Sequence, residues 1–148
     1  MEYLEVNSHA IPIELLLEAD PSKESILNYL SGSWCFVATT RGKILAACIV
    51  KAQGVELAEI YNISVYPAYQ GQGIGSKLLQ FTLSELSNRG VKRVELGTGT
   101  FGYQLTYYQR IGFRVASVSK DYFLKQYDMP IFENGIQHKD MLRLYIQI

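Results

Sequence analysis

The chain has 148 residues, 48% hydrophobic and 19% charged, the balance of one folded domain with a core of its own. Fourteen basic residues offset fourteen acidic ones, so no net positive field marks a nucleic-acid binder. No apolar run approaches the roughly 20 residues that cross a bilayer, and the acidic stretch MEYLEVNSHAIPIELLLEAD lacks the basic start of a signal peptide.

EYLEV opens the chain as a short strand. Residues 11–19, IPIELLLEA, cluster apolar residues at helical spacing, and Asp20-Pro21-Ser22 breaks and restarts the chain. Ser22 fits an N-cap with Ser25 three residues on, so a second helix runs to Leu30 and Gly32 stops it. β-rich runs at 34–39 and 44–50 flank the turn TRGK, and 55–65 is a third long strand. Residues 34–65 therefore read as an antiparallel meander. From 74 to 89, Leu78, Leu79, Thr82, Leu83 and Leu86 form one stripe opposite Lys77, Gln80, Ser84 and Ser87. That is an amphipathic helix, with Gly90 at its C-terminal end. VKRVEL is a strand, 103–110 a short helix ended by Ile111-Gly112, and FRVASVS and MLRLYIQI the last strands. Residues 120–140 read as a long mixed loop, a length that is usually functional or mobile. The pattern is α/β in the mixed α+β sense, in a single domain over residues 1–148. Cys35 and Cys48 lie in apolar strands and read as reduced core thiols, which points to the cytoplasm.

One stretch does not fit a structural reading alone. In VYPAYQGQGIGSK, Gly71, Gly73 and Gly75 stand at the start of a helix, where glycine costs about 1 kcal/mol relative to alanine. A strand, a glycine-rich turn and a helix N-terminus together form an anion cradle. The first-turn amides are free, and missing β-carbons let a phosphate reach them. A tight, closely packed turn is the competing reading. The Walker pattern fails because Ser76-Lys77 stand in the wrong order after Gly75, and G-x-G-x-x-G fails because Ser76 stands where the third glycine belongs.

Gln70-x-x-Gly73-x-Gly75 does match the Q/R-x-x-G-x-G/A signature of the GCN5-related N-acetyltransferases, the GNAT superfamily. AEIYNISVYP before it resembles the family's fourth strand, and YYQRIGF, residues 107–113, resembles its YEKLGF element at the expected place. The resemblance implies a mostly antiparallel, twisted sheet with strands four and five splayed, flanked by helices. It implies acetyl-CoA as cosubstrate, its pantetheine arm along the backbone of Ile63, Ser64 and Val65. Its pyrophosphate would then fall on the amides of Gln70, Gly71, Gln72, Gly73, Ile74, Gly75 and Ser76. The implied activity is transfer of the acetyl group to a primary amine of a small molecule or a protein, by direct attack in a ternary complex.

Tyr108 matches the tyrosine of YEKLGF and is the implied acid for the leaving thiolate; its neighbour Tyr107 is expected in the core. Glu59 aligns with the strand-four glutamate that serves some members as base. On strict alternation it shares a face with Leu57 and Tyr61, apolar surroundings in which a carboxylate holds its proton more tightly. Glu56 is a weaker rival. The asparagine that many members carry before the tyrosine is absent from GTGTFGYQLTYY, which leaves Thr100 and Gln104 as polar substitutes. His9 and His138 have no metal-ligand spacing, so no metal is expected. Tyr122, Phe123, Tyr127 and Phe132 either pack under the long loop or line an acceptor pocket. No nucleic acid or membrane partner is expected, and the late strands are where a homodimer would form. The reading of a different class is a non-catalytic acyl-CoA-binding regulatory module.

Overall fold

The computed structural model describes all residues, Met1–Ile148. Cα packing resolves two compact units, Met1–Lys92 with Ile148, and Arg93–Gln147. No helix is long and apolar enough to cross a membrane.

In the first unit β1 (Glu2–Val6), β2 (Trp34–Thr40), β3 (Lys43–Ala52) and β4 (Leu57–Val65) pair antiparallel in that order. The helix predicted over residues 11–19 shrinks to α1 (Ile13–Leu16), since Ile11 and Pro12 hold extended backbone before it; a separate 3-10 turn, Ser8–Ala10, precedes them. Ser22 caps α2 (Lys23–Leu30) as the sequence predicts, its hydroxyl accepting from the Ser25 amide at 3.1 Å. Leu15, Leu16, Ile26 and Leu30 pack with Cys35, Val37, Ala47 and Ile49 on one face of this sheet. Each large side chain so buried stabilises the fold by about 1.5–3 kcal/mol. On β2–β4 also packs α3 (Ile74–Asn88), burying Leu78, Leu79, Thr82 and Leu86 from the predicted stripe.

Strict alternation fails on β4. Ile49 pairs with Asn62 but the next residue, Val50, pairs with Ile60, so Tyr61 is the extra residue of a bulge. Cross-strand partners share a face. Glu59, opposite Lys51, therefore shares its face with Asn62 and Ser64 beyond the bulge, and the ring of the surplus Tyr61 stacks on Tyr29 on that side too, centroids 5.2 Å apart. On that face Asn62 Nδ2 donates to the Leu16 carbonyl at 3.0 Å and to the Tyr29 hydroxyl at 2.9 Å. Tyr29 donates to Asp20 Oδ2 at 3.1 Å, and Ser64 Oγ donates to Asn62 Oδ1. Asp20, Tyr29, Asn62 and Ser64 are all buried, so this network bonds α1, α2 and their connection to β4.

Both cysteines are buried and free. Burial pushes the Cys48 thiol up to about 12 and raises that of Cys35 as well. Nucleophilic thiolate is correspondingly scarce near neutral pH. A chromogenic disulfide reagent is expected to find no fast-reacting thiol in the native protein and two per chain in denaturant. Rapid native titration of either thiol would contradict this burial.

In the second unit β5 (Arg93–Gly99), β9 (Met141–Gln147) and β6 (Arg114–Ser119) form an antiparallel sheet in the order β5-β9-β6. Between β5 and β6 lies α4 (Tyr103–Ile111). Glu95 accepts from Arg93 Nε at 2.7 Å and from an Arg143 Nη at 3.3 Å, and the Arg93 hydrogen bond above all holds the Glu95 carboxyl below its ordinary range. The region predicted as a loop, residues 120–140, is largely structured. It holds α5 (Tyr122–Gln126) and a hairpin of β7 (Phe132–Glu133) and β8 (Ile136–Gln137). Asn134 and Gly135 turn this hairpin with φ of 53° and 76°, the left-handed pair a two-residue turn requires.

Candidate active site

Beyond Val65 the chain makes one 3-10 turn, Pro67–Tyr69. Gln70 then reaches back, its side-chain amide donating to the Val65 carbonyl at 2.9 Å. The signature glutamine thus closes the loop on itself and fixes where the next amides point. Gly71 and Gly73 follow with φ of 77° and 81°, and no heavy atom lies within 4 Å of where a β-carbon on either would stand. The space over these two residues is open. Gly73 is the N-cap of α3, without a side-chain cap and with no acidic residue in the first turn. The first helical bond runs from the Lys77 amide to the Gly73 carbonyl at 3.1 Å. The amides of Ile74, Gly75 and Ser76 therefore have no acceptor within the helix. They stand at the positive end of a 15-residue helix, where the macrodipole amounts to about half an elementary charge. Buried Ile74 anchors the turn while Gln72 and Lys77 are exposed. Chemically this is an uncapped, bare-amide cradle that fits a phosphate or pyrophosphate.

Ile63, Ser64 and Val65 pair with Cys48, Ala47 and Ala46 of β3. The Ser64 side chain is committed to Asn62, so that residue offers a ligand its backbone only. Glu59 is half-buried on the face of β4 that carries the Asn62 network.

In the second unit the Tyr108 side chain is buried, and Tyr107 only half-buried, the reverse of the expected assignment. The helix end explains it. Gly112 adopts φ 123°, and the amides of Gly112 and Phe113 both turn back to the Tyr108 carbonyl, at 3.3 and 3.1 Å. Phe113 is thereby folded against the Tyr108 ring, centroids 5.8 Å apart and near perpendicular. Thr100 and Gln104 are exposed.

Sequence reasoning passed over one pair entirely. His138, buried, bonds Glu133 through Nε2 to Oε1 at 2.9 Å. Its ring stacks on Phe101 with centroids 4.2 Å apart and planes 8° from parallel. The Asn134–Gly135 turn between the two residues was the only signal that could have brought them together. Phe123 lies 5.5 Å from the same ring and 6.0 Å from Tyr127, so those loop aromatics pack with one another and with His138.

A family model described as "Acetyltransferase (GNAT) domain" matches residues 31–115, more than half of the chain. The uncharacterized N-acetyltransferase YvbK of Bacillus subtilis is 37% identical over 136 residues, 91% of this chain and 88% of that protein. The [ribosomal protein bS18]-alanine N-acetyltransferase of Escherichia coli is 30% identical over 122 residues, 82% of this chain and 77% of that protein. The crystal structure of a GNAT family acetyltransferase from Elizabethkingia anophelis with acetyl-CoA bound superposes with a TM-score of 0.94. It is 36% identical, over 99% of this chain and 97% of that one. The cradle, the tyrosine helix and these likenesses agree, and the chain belongs to the GNAT superfamily of acyl-CoA-dependent acetyltransferases.

Proposed function

We propose that the protein transfers the acetyl group of acetyl-CoA to a primary amine of a small molecule or a protein, by direct attack in a ternary complex. The observation that carries this reading is the uncapped N-terminus of α3 behind two open, left-handed glycines, which suits the pyrophosphate of the donor. The backbone of Ile63, Ser64 and Val65 holds the pantetheine arm. Glu59 accepts the proton that the acceptor ammonium must lose, with Glu56 the weaker rival. The freed amine forms the C–N bond, the C–S bond breaks, Tyr108 gives its phenolic proton to the departing thiolate, and the proton that nitrogen sheds as the amide forms restores the phenol. A phenol suits that task because it keeps its proton at neutral pH.

A protein amine is one supported acceptor class, since the Escherichia coli relative is an alanine N-acetyltransferase of a ribosomal protein. The two units act as one domain in this proposal, supported by the near-complete coverage of a single acetyltransferase chain. A cytoplasmic location fits the two free cysteines. Exposed Val115 and Val118 on β6 support a homodimer through the late strands.

The test is a screen of thiol release from acetyl-CoA across aliphatic amines and peptides with a free N-terminal alanine. Turnover well above the rate with water is expected for at least one acceptor class. No turnover with any amine, together with thermal stabilisation by acetyl-CoA, would point to a sensing module instead.

A further inference from the structure

The segment leading from β5 into α4 has little of its own to hold it. It carries Gly99 and Gly102 within four residues, and α4 begins at Gly102 with φ 108° and no side-chain cap. The groups that fix it come from the β7–β8 hairpin. Glu133 Oε2 lies 2.6 Å from the position a β-carbon would take on Gly102, so the carboxylate sits against the start of α4. The His138 ring occupies the corresponding space over Gly99, its Nδ1 2.6 Å from that β-carbon position, and stacks on Phe101. The Nε2–Oε1 bond joins the two side chains into one clamp across Gly99, Phe101 and Gly102.

A carboxylate at this end of a helix meets the positive pole of its dipole. The three atoms nearest the β-carbon position on Gly102 all belong to the Glu133 carboxylate, and α4 has no acidic residue in its own first turn. The clamp also stands at a cost. His138 Nδ1 is buried without a hydrogen-bond partner, which is worth about 1–3 kcal/mol against the fold. The ring's position follows from its bond to Glu133 and its stack on Phe101.

We infer that Glu133 and His138 are positioning residues that set the start of α4 and, through that helix, the hydroxyl of Tyr108. The inference rests on the reading of Tyr108 as the acid. Neither residue touches the reacting atoms; both act on the frame that carries the proton donor.

Four variants test it: Glu133→Ala, His138→Phe, Glu133→Gln and Tyr108→Phe. The readouts are thiol release from acetyl-CoA, to water and to the best amine of the screen, and amide hydrogen exchange over residues 103–108. Glu133→Ala removes a half-exposed side chain, and His138→Phe keeps the ring stack while breaking the bond to Glu133. Each is expected to lower kcat about tenfold at unchanged KM for acetyl-CoA, a loss typical of a small misplacement remote from the chemistry. Exchange of the first α4 amides should quicken in both. Glu133→Gln, which still offers His138 an oxygen acceptor but no charge to the start of α4, should recover part of the loss. Added to Tyr108→Phe, Glu133→Ala should cost nothing further, because both act on one proton transfer. Fully additive losses, or unchanged kcat in Glu133→Ala, overturn the clamp. Unchanged kcat in Tyr108→Phe alone overturns the acid, whatever the clamp variants do.

Discussion

Replacing Tyr108 with phenylalanine is expected to lower kcat about a hundredfold while acetyl-CoA affinity stays within about twofold, the range for losing one general acid. The substitution removes a single oxygen. The ring keeps its contact with Phe113, and the helix end, closed by two backbone bonds to the Tyr108 carbonyl, is untouched. Calorimetric titration with acetyl-CoA separates binding from turnover, and a denaturant titration of the variant reads any change in stability. The loss should be largest for poor leaving thiols and should shrink with a donor whose thiol is more acidic, because such a thiolate leaves without help. A full-strength enzyme carrying phenylalanine would remove Tyr108 from the chemistry.

The second large effect belongs to Gly73. A side chain there must adopt φ 81°, which costs about 1–2 kcal/mol in a residue with a β-carbon. The surrounding space is open, so no clash adds to that strain in the free protein. The β-carbon of Gly73→Ala would instead stand where a phosphate would approach. Each charge-assisted hydrogen bond lost is worth about 1.5–3 kcal/mol, so KM for acetyl-CoA should rise by roughly ten- to a hundredfold. Gly42→Ala separates strain from binding. Gly42 has φ 75° and equally open space, but at the β2–β3 turn. It should lose similar stability in a denaturant titration and leave KM unchanged. Equal effects of the two substitutions on KM would mean that the cradle binds no phosphate.

The parts of the fold governed by local pattern were legible. The stripe of Leu78, Leu79, Thr82 and Leu86, the Ser22 cap and the meander of β2–β4 each follow from spacing and capping chemistry that act within a few residues. What escaped depends on pairing between distant segments. Nothing local in AEIYNISV says that Tyr61 is surplus, because a bulge is defined against the register of β3. The hairpin within 120–140 carried its Asn-Gly turn in plain view, but two-residue strands lack the alternation that betrays longer ones. The cradle was visible because it is continuous in sequence and built from backbone. His138 was not, since its meaning comes from Glu133, Gly99 and Phe101, three partners in separate elements. The choice of Tyr108 over Tyr107 came from likeness to the family, and burial alone would have sent Tyr108 to the core.

The surplus residue on β4 also bears on how this chain is lined up with others. Against a relative whose corresponding strand lacks the bulge, the correct correspondence needs a one-position gap at Tyr61. An ungapped comparison would match Glu59 properly and then give every residue from Asn62 onward the orientation of its neighbour. It would assign Ser64 outward and Ile63 inward, and transfer roles to the wrong side chains in the very stretch that leads to the cradle. Correspondence on this strand is set by which residue of β3 each position faces, and only afterwards by letters.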